Sequence, residues 1–123
     1  MNEHSLYQKY PYLFEGTTLP KSKSPMAYGM QIGEGWTPIV ERLSAELTEL
    51  FPKVQYFQIK EKFGVLRVYV NLNGEDFESI YNLIDKYVIE SKKVCEICGA
   101  DGVLRTDRKW IQTLCDEHNT EGL

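Results

Sequence analysis

The sequence CEIC at residues 95–98, followed after sixteen residues by CDEH at residues 115–118, decides how the C-terminal part of this chain folds. All three cysteines of the protein lie in these two short loops. A Cys-x-x-Cys loop folds back so that both sulfurs face one centre, and a Cys-x-x-His loop can supply the other two corners of a tetrahedron. Thiolate and imidazole donors at this spacing favour Zn²⁺ over cations that prefer oxygen. The pattern therefore predicts a zinc site with four ligands, namely Cys95, Cys98, Cys115 and His118.

The predicted role of this zinc is structural. Four protein ligands leave no coordination position for water or substrate. Two alternatives stay open, because Cys95 and Cys98 could form a redox pair, or all three cysteines could be buried as small apolar residues. A disulfide framework is disfavoured, since three cysteines leave one unpaired and no secretory signal precedes them.

The residues between the two loops predict a β-hairpin. Strand-like runs at residues 103–105 and 110–114 are joined by a polar segment, and Gly99 and Gly102 permit a tight turn after the first cysteine pair. Trp110 would either cover this metal hairpin or stack on a base. The C-terminal stretch is thus predicted to be a small zinc ribbon or knuckle.

Two helices and two strands are predicted before the zinc ribbon. Helical periodicity begins at residue 36 or 37 and is ended by Pro52, and a second amphipathic pattern runs over residues 76–91. Between the helices, residues 54–62 and 65–72 alternate with the period of two that is typical of strands. The predicted fold is therefore α+β, with a small antiparallel sheet, two amphipathic helices on one face of it, and the C-terminal zinc ribbon or knuckle.

The length of 123 residues is that of one domain, or of one domain with a zinc module appended. We predict an α+β body at residues 1–94 and a zinc-binding hairpin module at residues 95–123 that packs on it. Residues 15–35 are rich in Gly, Pro, Ser and Thr and are predicted to be a long loop, which in so small a domain is often functional.

Composition limits the classes of partner. The chain has a formal net charge of −4 and a pI near 5.2, which argues against general nucleic-acid binding, because such binding draws much of its affinity from neutralised phosphates. The longest apolar runs are far short of a membrane span, so no membrane partner is predicted. Because the N-terminus does not resemble a signal sequence, we expect a cytoplasmic protein whose thiols stay reduced.

One face of the predicted sheet is a candidate ligand site. If the apolar residues of both strands share a buried face, cationic and tyrosine side chains gather on the other: Tyr56, Lys60, Lys62, Arg67 and Tyr69. Ammonium and guanidinium groups hold phosphate, while phenol rings stack on a base or ribose. The alternative is an ordinary solvated strand face.

Three groups of residues resemble a family of short proteins from tailed phages and prophages. They are GEGW at residues 33–36, KEKFGVLRVY at residues 60–69 and the C-terminal pattern CxxCG…R…W…TLCDxH at residues 95–118. The resemblance to the G(D/E)GW, KEKFGxLRxY and zinc patterns of that family covers roughly residues 26–118. The chain departs from them at His118, where cysteine is the more frequent ligand, although zinc accepts either. The resemblance implies a phage context rather than a particular reaction.

These patterns predict a non-catalytic binding protein with a structural zinc. Its ligand is predicted to be a small phosphate-bearing molecule. In a phage context the protein could sequester a nucleotide immune signal in the host cytoplasm, acting as an anti-defence sponge, and a homo-oligomer would suit that role. No catalytic residues are predicted, because the sequence offers no clear set of base, nucleophile and open metal.

Two other functions stay open. The first is a nucleic-acid- or protein-binding accessory factor, in which the zinc hairpin would contact its partner through Arg105, Arg108 and Lys109. The second is a phosphodiester hydrolase, for which Glu61 beside the lysines is the candidate base.

Overall fold

The α+β fold predicted from the sequence is confirmed by a computed structural model that describes residues 2–119. In chain order its helices and strands are α1 (Glu3–Lys9), α2 (Thr37–Leu50), β1 (Gln55–Lys62), β2 (Val65–Asn71), α3 (Phe77–Ser91), β3 (Val103–Arg105) and β4 (Gln112–Leu114). β1 pairs with β2 and β3 pairs with β4, each as a two-stranded antiparallel sheet. Within residues 2–119, every helix is too short or too polar to cross a membrane.

Both long helices begin where their local sequence favours a helix start. Pro38 lies in the first turn of α2, where its missing N–H costs no hydrogen bond. The Asp76 carboxylate caps α3 by accepting the N–H of Ser79 at 2.9 Å. Each helix buries one face in the core, and the buried apolar residues are Ile39, Val40, Leu43 and Leu47 of α2 with Ile80, Ile84 and Tyr87 of α3.

A β-bulge changes which side chains of β1 face the core. Tyr56 is paired with Val70, but the next pair is Gln58 with Tyr69, so Phe57 is an extra residue without a partner. The bulge shifts the alternation by one residue. Tyr56 and Ile59 consequently both point into the core, while Phe57 is 40% exposed.

The prediction that Tyr56 belongs to the exposed ligand face of the sheet is therefore wrong. Its side chain is only 1% exposed, and its hydroxyl lies 2.8 Å from that of Ser44 on α2. Burial, only partly offset by the Ser44 hydrogen bond, raises the pKa of Tyr56, so the phenol stays neutral. A residue in this position stabilises the core and has no surface to offer a ligand.

Both edges of the β1–β2 sheet are partly covered. Along β2, the outward N–H groups of Leu66 and Val70 donate to the hydroxyls of Ser91 and Tyr81 of α3, each at 3.1 Å. Along β1, the N–H of Gln31 donates to a strand carbonyl at 2.9 Å, and its own carbonyl accepts a strand N–H at 3.1 Å. Side chains and a loop thus complete hydrogen bonds that a third strand would otherwise supply.

The predicted loop at residues 15–35 is packed against the body. It carries short 3-10 turns at Glu15–Thr18, Pro25–Tyr28 and Glu34–Trp36. Met26 is fully buried within it, and Met30 is 7% exposed, so the segment contributes to the core. The division into a body at residues 1–94 and a module at residues 95–123 stays a prediction, and its end residues 1 and 120–123 lie outside the described residues.

Candidate metal centre and cationic strand face

Four side chains from the two predicted loops converge at one point. The Sγ atoms of Cys95, Cys98 and Cys115 and a ring nitrogen of His118 all lie within 4.8 Å of one another. Cys98 Sγ is 3.8 Å from Cys115 Sγ, and the Nδ1 atom of His118 is 3.7 Å from Cys95 Sγ and 3.2 Å from Cys115 Sγ. This arrangement is compatible with a metal site.

The exposure of the three cysteines bears on one alternative to a metal site. All three are free thiols, and Cys98 is exposed, so the three are not simply buried apolar residues. The Cys98 and Cys115 sulfurs approach each other across the two loops, and the Cys95 and Cys98 sulfurs also lie within 4.8 Å of each other, so a redox pair stays an alternative.

Backbone N–H groups favour the ionised form of one thiol, that of Cys95. Although burial opposes it, hydrogen bonds from the backbone of Cys115, Cys98 and Ile97 lower the pKa of Cys95 to about 6. The pKa of the Cys98 thiol is raised instead, because local loss of hydration and the neighbouring Cys95 and Cys115 sulfurs outweigh the hydrogen bond from the backbone of Ala100. One thiolate thus forms readily, and a bound cation would favour ionisation of the others.

The first loop closes through its own backbone. The N–H of Cys95 donates to the carbonyl of Ala100 at 2.8 Å, and the N–H of Gly99 donates back to the carbonyl of Cys95 at 2.9 Å. Gly99 has a φ of 83°, in the left-handed region that glycine adopts without a steric cost. This turn directs Cys98 towards the second loop.

Arg105 holds the second loop against β3. Its Nε–H donates to the carbonyl of Leu114 at 3.2 Å, and its Nη2 donates to Asp116 at 2.8 Å. Its side chain is only 18% exposed. Arg105 therefore positions the Cys-x-x-His loop, and its guanidinium is already engaged within the hairpin.

The GEGW segment at residues 33–36 packs directly on the first metal loop. The N–H of Gly35 donates to the carbonyl of Glu96 at 2.8 Å. A Cβ atom on Gly35 would lie 2.1 Å from the Cys95 carbonyl oxygen, and one on Gly33 would lie 2.4 Å from that of Glu96. Both glycines are required because the two backbones touch here.

Trp36 and Glu96 add two side-chain hydrogen bonds to this contact. The indole N–H of fully buried Trp36 donates to the carbonyl of Val94 at 2.8 Å. The Glu96 carboxylate accepts the N–H of Gly33 at 3.0 Å. Burial is the main cause that raises the pKa of Glu96, and Glu61 nearby adds to it. The start of α2 is thus tied to the metal loop.

A third sequence segment meets the metal hairpin at the turn between β1 and β2. The Thr113 hydroxyl donates to the carbonyl of Gly64 at 2.8 Å. A Cβ atom on Gly64 would lie 2.6 Å from the Leu104 side chain. The Glu61 carboxylate accepts the N–H of Gly64 at 2.7 Å, so this candidate base serves to hold the turn.

Four of the five residues predicted for the ligand face do share one side of the sheet. Lys60 lies directly opposite Arg67, and Lys62 and Tyr69 occupy the same face two residues further along their strands. Lys62 and Tyr69 are exposed, whereas Lys60 and Arg67 are half-buried. We call these four residues the cationic strand face. Within residues 2–119, none of its three cations forms an ion pair with a carboxylate.

Arg67 and Tyr69 also line a groove against α3. The groove has a volume of about 160 Å³, and Asp85 lies among the α3 residues that line it. The buried Nε atom of Arg67 has no hydrogen-bond partner in the described part of the chain.

Sequence reasoning misses how Gly33, Gly35 and Glu96 are used. In the sequence alone, the GEGW segment carries only a family resemblance, and Glu96 is only a spacer between two cysteines. Two glycines on either side of one residue, just before a buried tryptophan, are a signal for close backbone contact.

Comparison of the chain with protein-family models, with curated proteins and with solved structures finds no match.

Proposed function

We propose that this protein is a non-catalytic binding protein whose C-terminal hairpin is held by one structural Zn²⁺. Support comes from the spacing of the donors. Zn–S bonds of about 2.3 Å in a tetrahedron separate two sulfurs by about 3.8 Å, and the Cys98 and Cys115 sulfurs lie 3.8 Å apart. A sulfur and a nitrogen ligand would lie about 3.6 Å apart, and the Nδ1 atom of His118 is 3.7 Å from Cys95 Sγ and 3.2 Å from Cys115 Sγ.

Metal analysis of the purified protein tests this assignment. We expect about one zinc per chain, since the four donors complete a single tetrahedral site. The variant Cys98→Ser should lose the metal in competition with a chelator, whereas His118→Cys should keep it, because zinc accepts sulfur in place of imidazole. Wild-type zinc affinity in the Cys98→Ser protein would contradict the assignment.

We further propose that the cationic strand face binds a phosphate-bearing ligand. The observation that carries this proposal is the cross-strand pair Lys60 and Arg67, which brings two cations side by side in a chain of net charge −4. Like charges directly opposite each other destabilise a sheet unless an anion lies between them. A phosphate group would accept charge-assisted hydrogen bonds from both the Lys60 ammonium and the Arg67 guanidinium.

Calorimetric titration with pyrophosphate tests the face without assuming any particular nucleotide. Arg67→Ala and Lys60→Ala should each weaken binding, by about 10-fold for the loss of one charged hydrogen bond. Lys92→Ala, which removes an exposed lysine from the end of α3, is the matched control and should bind as the wild type does. Equal affinity for pyrophosphate in all four proteins would show that this face is not the phosphate-binding site.

The phage-type resemblance of residues 26–118 motivates a more specific proposal, in which the ligand is a nucleotide immune signal that the protein sequesters in the host cell. A sponge binds its ligand without turnover. Incubation with a cyclic dinucleotide should therefore return the ligand unchanged, and a native mass spectrum should show it bound, together with the number of subunits. A hydrolysis product that disappears in Glu61→Gln would instead favour the phosphodiesterase alternative.

A further inference from the structure

A cleft lies between the tips of the two hairpins, next to the cationic strand face. It has a volume of about 330 Å³. Its walls come from the β1–β2 turn and from the loop that joins β3 to β4, and the residues that line it are Glu61, Lys62, Phe63, Lys109, Trp110 and Ile111. This volume is within the range of small-molecule sites, which is roughly 300–1,000 Å³.

Each wall of the cleft carries one exposed aromatic ring. Phe63 is 64% exposed, and Trp110 is 62% exposed. Neither ring is buried in the core, so the stability of the fold does not explain its size or aromatic character. Aromatic rings on facing walls form a stacking platform for a planar ligand.

The backbone of Phe63 makes this residue choice unusual. Phe63 and Gly64 have φ values of 55° and 81°, as in the two-residue turns that suit hairpins best. The first position of such a turn favours asparagine, aspartate or glycine, because a bulky side chain is strained there. Backbone strain that brings no packing benefit to the fold is concentrated at ligand-binding sites. The ring of Phe63 therefore points to a binding role.

Charge selects the class of planar ligand. The ammonium group of Lys62 lies 5.8 Å from the centre of the Phe63 ring, and Lys109 borders the cleft from the other hairpin. The Glu61 carboxylate in the cleft already accepts the N–H of Gly64. Two lysines beside two aromatic rings fit a flat ring system that carries a phosphate.

Lys62 connects the cleft to the cationic strand face, because it belongs to both. One ligand could thus place its phosphate near Lys60 and Arg67 and its ring between Phe63 and Trp110. The cleft walls are also joined to each other, since the Thr113 hydroxyl bonds to the carbonyl of Gly64. The metal hairpin consequently sets the position of Trp110 relative to Phe63.

We infer that this cleft binds an unpaired nucleobase by stacking it between Phe63 and Trp110, an inference that rests on the proposed phosphate-binding function and specifies the rest of its ligand. Free nucleotides and single-stranded nucleic acids both present such a base. The net charge of −4 opposes a long polyanion more than a single nucleotide, so the ligand expected here is a free nucleotide.

Titration with the four ribonucleoside 5′-monophosphates tests the inference. Phe63→Asn replaces the ring with a residue that suits the turn, so it should raise the melting temperature and yet weaken nucleotide binding about 10-fold or more. Trp110→Ala should weaken binding similarly. Phe77→Ala removes an aromatic side chain of equal exposure from α3 and should leave binding unchanged.

Two further ligands separate this inference from the proposed function. Ribose 5-phosphate lacks the base, so we expect it to bind weakly and equally to the wild type and to Phe63→Asn. If nucleotides bind all variants equally but lose affinity in Lys60→Ala, the stacking site is wrong and the phosphate face stands. If neither nucleotides nor pyrophosphate bind, both proposals are wrong.

A decadeoxyadenylate oligonucleotide distinguishes the two sources of the base. Binding tighter than that of the monophosphates, with a steep salt dependence and the same loss in Trp110→Ala, would support base stacking and identify single-stranded nucleic acid as its source. Tight binding of the oligonucleotide that neither Phe63→Asn nor Trp110→Ala weakens would overturn the inference.

Discussion

At the scale of single residues, the contact between Gly35 and the metal loop leaves no room for a side chain. The carbonyl oxygen of Cys95 and the backbone nitrogen of Gly99 would lie 2.1 Å and 2.6 Å from a Cβ atom on Gly35. Both are backbone atoms of the turn that presents the first two sulfurs, so neither can move without disturbing the site. Folding of the body and assembly of the metal loop are coupled through this one position.

Gly35→Ala should therefore lower both stability and metal affinity. Overpacking of this kind costs about 1–3 kcal/mol of unfolding free energy. Thermal unfolding and zinc competition with a chelator measure the two effects. Gly74→Ala is the control, because Gly74 has a φ of 94° but a Cβ atom there would have no described atom within 4 Å; it should cost some stability through backbone strain and leave zinc affinity unchanged.

Tyr56→Phe should destabilise the protein without changing ligand binding. The hydroxyl that it removes is bonded to Ser44 in the core, and loss of such a bond costs about 1 kcal/mol. Urea unfolding measures the change, and Tyr12→Phe at a 50% exposed tyrosine should have little effect. Weaker binding of pyrophosphate by Tyr56→Phe, at a temperature where it is fully folded, would return Tyr56 to the ligand site.

At the scale of secondary-structure elements, α2 and α3 are joined by polar contacts above their shared core. The Arg42 guanidinium forms a two-pronged ion pair with Glu90, with one of its hydrogen bonds at 2.9 Å. Next to it, the Tyr87 hydroxyl donates to Glu46, and burial together with this bond raises the pKa of Tyr87 to about 12. These contacts fix the helix pair that supports the sheet.

The Arg42–Glu90 pair predicts a pH dependence of stability. The hydrogen bond from Arg42 lowers the pKa of Glu90 below its ordinary value, despite partial burial. A lowered pKa in the folded state gives stability that is present above the unfolded value of about 4.3 and is lost as pH falls through the folded value. Glu90→Gln should cost up to about 1 kcal/mol at pH 7, because the pair is partly exposed, and should cost less at pH 3, below the unfolded value.

Urea unfolding of wild type and Glu90→Gln at both pH values measures this difference. Both proteins carry the same metal centre, so acid effects on that centre cancel in the comparison. Glu49→Gln makes the same change at an exposed glutamate of α2 that has no ion pair in the described chain. A cost for Glu90→Gln that is the same at pH 3 and pH 7 would contradict the ion-pair account.

At the scale of the whole molecule, two separated sequence segments contact the metal hairpin. The segment at residues 33–36 packs on the first cysteine loop, and Gly64 in the segment at residues 60–69 bonds to Thr113 of β4. The two helices and the convergence of the three cysteines with His118 were predictable, because periodicity and the spacing of such residues are local properties of a sequence. The bulge at Phe57 was not predictable, since one extra residue in a strand does not change the composition of the segment. It nevertheless turns the Tyr56 side chain into the core.

Removal of the metal should disturb the core around Trp36. Its indole donates to the carbonyl of Val94, which immediately precedes Cys95, the first cysteine of the proposed zinc site. In a Trp110→Phe background, where Trp36 is the remaining tryptophan, a chelator should shift the emission to the red and lower the melting temperature by roughly 5 °C or more. An unchanged spectrum after complete zinc release would show that the hairpin and the body are independent.

The hydroxyls of Ser91 and Tyr81 accept hydrogen bonds from outward N–H groups of β2. These bonds affect how readily the protein aggregates at high concentration. An incoming polypeptide that adds to a sheet must find free donors along its border. Here it would first have to displace two side chains anchored on a helix. This border is thereby protected from templated fibril growth, and replacing both hydroxyls would remove that protection even in molecules that remain folded.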